Sequence, residues 1–175
     1  YMKSNRLNLN ADKTEFMWLG TYQKLGQLAN DNIRLGDCMI HPATSVKNLG
    51  VIFDSELNFN AHVNQVVKSG FYQLRQIRTI RRFLTIESAK TLVSSFVCSR
   101  IGYCNGLYFG ANLQIYQKLQ SLLNSAARVV LGLLKYDHIS EGLRSLHWLR
   151  IPQRVNYKII ALARSGLLGQ GLLYI

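Results

Sequence analysis

The chain has 175 residues, of which 48% are apolar, so we expect one domain of ordinary size or two small ones, with a packed core. No stretch approaches the roughly 18 uninterrupted apolar residues that a membrane span needs, so no span is predicted. No apolar segment follows Tyr1, so no signal peptide is predicted either. Lys and Arg total 21 against 9 Asp and Glu, a formal net charge of +12 that predicts an anionic partner. The chain starts at Tyr1 and ends on apolar residues, and we interpret it as a piece of a longer protein.

The charge is unevenly distributed along the chain. Residues 1–60 hold six basic and six acidic side chains, which sum to zero. Residues 61–175 hold fifteen basic and three acidic side chains, so the whole excess of twelve lies there. This asymmetry predicts two segments with different roles, divided near residue 60, and a polyanionic partner for the second.

The first 60 residues are patterned as short strands. The apolar run over 16–19 predicts one strand, and residues 33–35 and 38–40 alternate around Gly36-Asp37, which indicates a hairpin. Residues 46–53 predict a further strand, interrupted by Gly50. These strands are too few and too short to enclose a core alone.

After Asn60 the apolar residues recur with the helical period of 3.6. The pattern predicts a helix over 61–80 and a second one that Thr85 caps, with Ala89, Val93 and Phe96 among its buried residues. A third helix is predicted to start at the cap Asn112 and to end at Gly132. A short helix over 140–146 and a last one from Pro152 to Arg164 complete an α+β chain whose second part, 61–175, is a helical bundle.

A row of cations is predicted beside the apolar stripe of the first long helix. Its members share one arc of the helical wheel and are Lys68, Arg75, Arg78 and Arg82. Such a row could follow a phosphate backbone, and no acidic residue between 61 and 84 offsets it. Arg outnumbers Lys ten to five beyond residue 60, which favours phosphate contacts over a cationic face that only aids solubility. A second cluster at the start of the last helix consists of Arg150, Arg154 and Lys158.

The remaining chemistry-bearing residues give weak signals. Three cysteines without CxxC spacing are expected to be small buried side chains in a reducing, intracellular compartment, and the four histidines lack zinc-site spacing. Two pairs of carboxylates could serve as metal ligands, namely Asp31 with Asp37 and Asp54 with Glu56. The favoured interpretation is that they are ordinary carboxylates of turns and strand ends. No metal site is therefore predicted.

Several strings resemble a known family in their order and spacing. They are LNLNADKTEF, SVKNLGVIFDSELNFNAHV, LRQIRTIRRFLTIESAKTLVSSFVCSRIGYCNGLYFG, LQSLLNSAARVVLG and KYDHISEGLRSLHWLRIPQR. The series, from about residue 5 to 170, resembles the C-terminal half of reverse transcriptases of non-LTR (LINE-type) retrotransposons, of the kind related to the jockey and chicken-repeat elements. The resemblance implies the end of a polymerase palm in residues 1–60 and a thumb in 61–175.

The resemblance also implies roles for single residues. Lys13, in LNADKT, would lie near the incoming triphosphate and could protonate the leaving pyrophosphate; an exposed turn lysine is the alternative. Residues 46–54 (VKNLGVIFD) would form a primer-grip hairpin, in which Leu49 and Gly50 let the backbone approach the primer end because glycine has no Cβ. The thumb would hold an RNA–DNA or other nucleic-acid duplex, and the missing N-terminal part of the polymerase would be a further partner.

The sequence departs from the family pattern at important places. The paired aspartates expected upstream of LNLNADKT and the fingers are absent, so we expect no catalytic metal on this chain, although Mg²⁺ is implied for the full-length enzyme. Gly102 stands where the family usually has Asp, and Arg150 where it has Pro. The family pattern therefore does not predict the loop conformation at these two positions. We therefore expect that the chain alone has no DNA polymerase activity.

Two other hypotheses remain open from the residues. One is a helical relic that acts only as a protein-interaction surface, or a decayed reading frame without a role. The other is a basic amphipathic chain on anionic membranes, which is weaker because the apolar helix faces suit mutual packing.

Overall fold

The chain has the α+β architecture that the sequence predicts, with two small antiparallel hairpins followed by helices. The computed structural model describes residues 10, 13–28, 32–35 and 38–169. In chain order the elements are α1 (Tyr22–Leu25), β1 (Ile33–Leu35), β2 (Cys38–Ile40), β3 (Ser45–Asn48), β4 (Val51–Asp54), α2 (Asn60–Ile80), α3 (Ile86–Val93), α4 (Ser99–Gly102), α5 (Leu113–Leu131), α6 (Ile139–Ser145) and α7 (Ile151–Leu167). The chain forms two compact units, 1–62 and 63–175, and the predicted boundary lies between residues 60 and 61.

The hairpin predicted over 33–40 is present. Strands β1 and β2 pair antiparallel, with Ile33 opposite Ile40 and Leu35 opposite Cys38. The turn Gly36-Asp37 lies outside the described residues.

Residues 46–53, whose pattern predicts one strand interrupted by Gly50, instead form a second hairpin, as the resemblance implies over 46–54. Strands β3 and β4 pair antiparallel, with Asn48 opposite Val51, and are joined by Leu49 and Gly50. Both turn residues have positive φ, 46° for Leu49 and 86° for Gly50. Such two-residue turns match the right-handed twist of the paired strands, so the chain reverses here instead of continuing.

The strand predicted over 16–19 is wrong, because only Phe16 makes a β-bridge. Phe16 forms an isolated parallel bridge with Pro42, and its carbonyl accepts a hydrogen bond of 2.8 Å from the Ala43 N–H. Proline has no N–H to donate, so a ladder cannot extend through this point.

Helix α5 supplies the centre of the helical unit. Its buried face matches the predicted stripe and consists of Ile115, Leu119, Leu122, Leu123, Ala126, Ala127 and Val130, together with Val129. Helices α3, α6 and α7 all contact α5. Helix α2 approaches it at Gly70, where a Cβ would lie only 2.5 Å from Cδ2 of Leu122. Glycine is therefore needed at this crossing for close packing.

The capping residues predicted for these helices are confirmed. The Thr85 side chain accepts from the Ser88 N–H at 3.2 Å, and Asn112 Oδ1 accepts from the Ile115 N–H at 3.1 Å. Gly132 ends α5 with a φ of 68°. The Gln120 side chain, on α5, accepts from the Ile151 N–H at 2.9 Å and so satisfies a free donor at the start of α7.

The segment after α3 corrects one predicted core residue. A π-helical turn over Ser94–Cys98 follows α3, and the buried residues continue at intervals of four as Ala89, Val93, Val97 and Ile101. Phe96, predicted to be buried, is 46% exposed. A wider π-turn changes which side chains face inward, and a calculation with the α-helical period cannot anticipate it.

Candidate nucleic-acid interface

Three of the four cations predicted to form a row are exposed on α2. Lys68, Arg75 and Arg78 follow each other along the helix, whereas the buried side of the same helix includes Leu74 and Ile77. On a helix these cations occupy an arc that flanks the buried stripe, as the sequence predicts. The row is therefore open to solvent and available to an anionic ligand.

The fourth member, Arg82, does not lie on that helix. Helix α2 ends at Ile80, and Arg82 belongs to a 3₁₀ turn over Arg81–Phe83. Its side chain is exposed, with the guanidinium carbon 4.6 Å from the centroid of the Phe83 ring. The prediction that Arg82 lies on the same α-helix is wrong, because the helix ends two residues earlier; the side chain is exposed directly beyond the helix.

The neighbouring Arg81, which the sequence pattern did not single out, has a structural role. Its Nε donates to the Val129 carbonyl and its Nη2 to the Val130 carbonyl, both at 2.8 Å. Its Nη1 donates to the Leu84 carbonyl at 2.8 Å. Carbonyls in the last turn of a helix lack partners within it, so Arg81 satisfies the C-terminal end of α5. Nothing in the sequence separates this arginine from Arg82, because both stand in the same RRF string.

Of the second predicted cluster, Arg150 borders a cavity of about 620 Å³, whereas Arg154 and Lys158 are not among its lining residues. Its lining includes Arg144, His147, Trp148 and Arg150, with Ser140 and Gln153. Arg150 precedes α7, and its Nη2 donates to the Ser140 hydroxyl at 3.0 Å. Its backbone N–H donates to Oε1 of Gln153 at 3.1 Å. Arg150 is thus held at the cavity, and Lys158 is exposed two turns further along α7.

Arg154 differs from Arg150 because it is half-buried and makes contacts within the unit. Its Nε donates to the Leu149 carbonyl at 2.8 Å, and its guanidinium carbon lies 5.9 Å from the centroid of the Trp148 ring. Burial raises the pKa of the nearby Cys98 thiol, and the positive charge of Arg154, which also hydrogen-bonds the thiol, opposes that rise. Arg154 therefore links α7 to the segment after α3 and to the Trp148 ring.

The residues assigned by resemblance lie in the first unit. Lys13 is exposed and its backbone N–H donates to the Asn10 carbonyl at 3.2 Å; much of the string around it lies outside the described residues. Leu49 and Gly50 form the exposed tip of the second hairpin, and Leu49 is 84% exposed. A bulky residue with positive φ is uncommon because the left-handed conformation strains its Cβ. The tip therefore holds an exposed apolar side chain at a conformational cost.

The described residues do not fit a two-metal polymerase centre. Among them no three His, Cys, Asp or Glu side chains come together in a way that could hold a metal ion. The Asp54 carboxylate accepts backbone N–H donors from Asn58 at 2.8 Å and Phe59 at 2.7 Å, so it caps the loop before α2, as expected for a strand-end carboxylate. Asp31 and Asp37 lie outside the described residues. We derive no catalytic step through Mg²⁺ for this chain.

The cysteines differ from the expected buried side chains. Cys38 and Cys104 are exposed and Cys98 is half-buried, and all three are free thiols. Cys38 lies on a hairpin strand and Cys104 adopts a φ of 50° before a 3₁₀ turn, so their local backbone positions keep them at the surface. The prediction of three buried cysteines is wrong for these two.

Comparison of the chain with protein-family models, curated proteins and solved structures found no match. Within the described part of the chain, none of the helices combines the length and the apolar character that a bilayer crossing requires.

Proposed function

We propose that the helical unit binds the backbone of a nucleic-acid duplex, and that the chain is the palm-end and thumb portion of a non-LTR retrotransposon reverse transcriptase. In this proposal the row along α2, continued by Arg82, contacts phosphates without reading base sequence. In this proposal the chain contributes duplex binding and does not supply the catalytic carboxylates.

The main support for this proposal is the excess of positive charge in residues 63–175. The unit has fifteen basic and three acidic side chains. Glu87 and Glu141 lie in the first turns of α3 and α6, where a carboxylate offsets the positive end of the helix dipole. Oδ2 of Asp137 accepts from the Leu134 N–H at 2.7 Å. The three acidic side chains of this unit therefore lie at helix starts or accept a local backbone N–H, and they are too few to balance its fifteen cations.

The exposed apolar tip of the second hairpin supports the palm part of the proposal. Leu49 is held with positive φ, where asparagine or glycine would be less strained. Strained residues cluster at functional sites, and an exposed leucine beside a flexible glycine suits contact with the sugar face of a primer end. Lys13 remains the candidate general acid of the intact enzyme, with its exposed position compatible with a turn lysine as well.

The salt dependence of duplex binding tests the proposal. Fluorescence anisotropy of a labelled RNA–DNA duplex would be measured over a series of NaCl concentrations. Four phosphate contacts predict a log–log slope of about −3 to −4, and each of Lys68→Ala, Arg75→Ala, Arg78→Ala and Arg82→Ala should reduce its magnitude by about one. Arg100→Ala, which removes an exposed cation outside the row, is the matched control. A slope near zero, or equal losses in the row variants and the control, would contradict the proposal.

A protein-interaction role is the second candidate, and the outer face of α7 favours it. Tyr157, Ile160 and Leu167 on this helix are exposed. Their spacing of three and seven places them on one side of the helix, an apolar stripe without a partner among the described residues. Light scattering of the purified chain separates the two candidates. A stable monomer that binds duplex supports the first, and concentration-dependent association that Ile160→Lys abolishes supports the second.

A further inference from the structure

A cavity lined by cations lies beside the C-terminal end of α5. Of its lining residues, only Arg78 belongs to the row proposed to contact the duplex. The volume of the cavity is about 440 Å³. Its lining includes Arg78, Arg81, Arg128 and Lys135, together with Ser125 and apolar residues from the end of α5. Four of these side chains are cations, and none of them is Asp or Glu.

Backbone carbonyls hold two of the four cations in place. Arg81 donates to three carbonyls, and Arg128 donates its Nε to the Leu134 carbonyl at 3.2 Å and its Nη2 to the Asp137 carbonyl at 3.3 Å. Carbonyls orient a guanidinium without neutralising its charge as a carboxylate would. A guanidinium has five N–H donors, so each of the two arginines keeps donors for another ligand. The cations are therefore positioned before any ligand arrives.

The other polar groups add to the same field. Arg78 and Lys135 are exposed lining residues, and the half-buried Ser125 supplies a hydroxyl from α5. Asp137, the carboxylate nearest in sequence, accepts the Leu134 N–H and is not part of the lining. Part of the positive charge offsets the negative end of the α5 dipole, which is equivalent to only about half an elementary charge. A substantial positive excess remains in the cavity.

We propose that this cavity binds a phosphate monoester. A monoester carries nearly two negative charges at pH 7, whereas a diester within a strand carries one, so the monoester gains more from four converging cations. Oriented guanidinium donors match phosphate oxygens in pairs. The volume exceeds that of one phosphate and falls in the usual range for small-molecule sites, which leaves room for an attached sugar against Val129, Leu133 and Leu134. The site goes beyond the duplex contact proposed for the α2 row.

The same phosphate chemistry is available from a strand end or from a free nucleotide, and the experiment separates these sources. Two labelled duplexes of identical sequence, one with a 5′-phosphate and one with a 5′-hydroxyl, would be compared by anisotropy at fixed salt. Adenosine monophosphate and inorganic phosphate would be titrated by calorimetry in parallel. Charge-assisted hydrogen bonds predict that the 5′-phosphate tightens binding by about tenfold or more.

The variants avoid the two carbonyl-bound arginines, whose loss would disturb folding. Ser125→Asp places a negative charge in the cavity, and Lys135→Ala removes an exposed cation of the lining. Both variants should abolish the tenfold difference. Arg100→Ala should preserve it, and circular dichroism would verify the fold of each variant.

The outcomes assign or overturn the site. If the 5′-phosphate duplex binds more tightly and both variants remove this difference, the phosphate monoester comes from a strand end. Adenosine monophosphate binding with the same sensitivity, but no difference between the duplexes, supports a free nucleotide. Equal affinity for the two duplexes together with no binding of the monophosphate overturns the proposal. Lys68→Ala, Arg75→Ala and Arg82→Ala change row residues that do not line the cavity, so they should alter overall duplex affinity and its salt slope but preserve the 5′-phosphate difference. Arg78 belongs to both surfaces, and Arg78→Ala should affect both measurements.

Discussion

Residues 1–62 carry six basic and six acidic side chains, whereas residues 63–175 carry fifteen and three. Among the described residues, Val51 and Phe59 are the buried apolar side chains of the first unit, while the second has a continuous core around α5. The strongly charged unit is therefore also the well-packed one. Repulsion among like charges destabilises a compact state, and extensive burial of apolar surface offsets it. A neutral, thinly packed segment could not tolerate the same imbalance.

The first prediction tests whether the core of the helical unit supplies its stability. Leu119→Ala removes a fully buried side chain from α5 and should lower the free energy of unfolding by about 2–5 kcal/mol. Leu113→Ala, on the same helix but largely exposed, should change it by less than about 0.5 kcal/mol. Urea denaturation followed by circular dichroism measures both. Similar values for the two variants would contradict the assignment of the α5 core as the source of this unit's stability.

The second prediction separates the two adjacent arginines. Arg81→Met should destabilise the helical unit by about 2–4 kcal/mol, because carbonyls at the end of α5 lose charge-assisted hydrogen bonds. Arg82→Met should cost less than about 0.5 kcal/mol, because its side chain is exposed. Thermal or urea denaturation would show the difference. If both variants are equally stable, the hydrogen bonds from Arg81 to the Val129 and Val130 carbonyls do not form in solution.

The third prediction concerns the close approach of α2 and α5. Gly70→Ala should destabilise by about 1 kcal/mol net, because the new methyl group overlaps Leu122 and outweighs the better helix propensity of alanine. In a Leu122→Ala background the same change should become stabilising. The double-mutant cycle reports this reversal directly. Gly102→Ala, where a Cβ meets no neighbour within 4 Å, is the control and should be neutral or stabilising.

The fourth prediction addresses the hairpin of the neutral unit. Leu49→Asn should stabilise that unit by about 0.5–1 kcal/mol, because asparagine tolerates positive φ better than leucine. Trp18 lies in the first unit and Trp148 in the second, so a Trp148→Phe background lets fluorescence follow the first unit alone. If the tip contacts a primer, binding to a primer–template duplex should fall while stability rises. A loss of stability would contradict the strain assigned to Leu49.

The smallest expected effect is a pH dependence of the same unit. Burial lowers the pKa of His62, and its Nδ1 accepts the Ile52 N–H at 3.4 Å, which requires the unprotonated nitrogen. Above the unfolded pKa, near 6.5, both states are neutral and the stabilisation is complete. As the pH falls from there to the lower folded pKa, the unfolded chain binds the proton first and the free energy of unfolding decreases.

Denaturation of the Trp148→Phe chain between pH 7 and pH 5 would reveal this decrease. His62→Asn keeps an acceptor near the position of Nδ1 but does not titrate, so its stability should vary less over the same interval. An unchanged pH profile in that variant would assign the dependence to another group.

Features set by neighbouring residues could be predicted from the sequence. The helix caps Thr85 and Asn112 and the helix end at Gly132 depend on local backbone geometry, and the α5 stripe follows from a uniform helical period. The failures arose where that period breaks. The π-turn over Ser94–Cys98 brought Phe96 to the surface, and α2 ends at Ile80, so Arg82 lies in a 3₁₀ turn and not on the predicted helix.

The sequence by itself determined the α+β order of elements, the division of charge near residue 60 and the exposed cations of α2. These properties depend on composition and short-range periodicity, which every segment carries with it. Only the tertiary structure decided that Arg81 is structural and Arg82 exposed, because that depends on carbonyls of Val129 and Val130, nearly fifty residues from Arg81. The same folding brings Arg78, Arg128 and Lys135 from separate segments to one cavity. Long-range packing therefore turned a general positive charge into distinct surfaces and a candidate phosphate site.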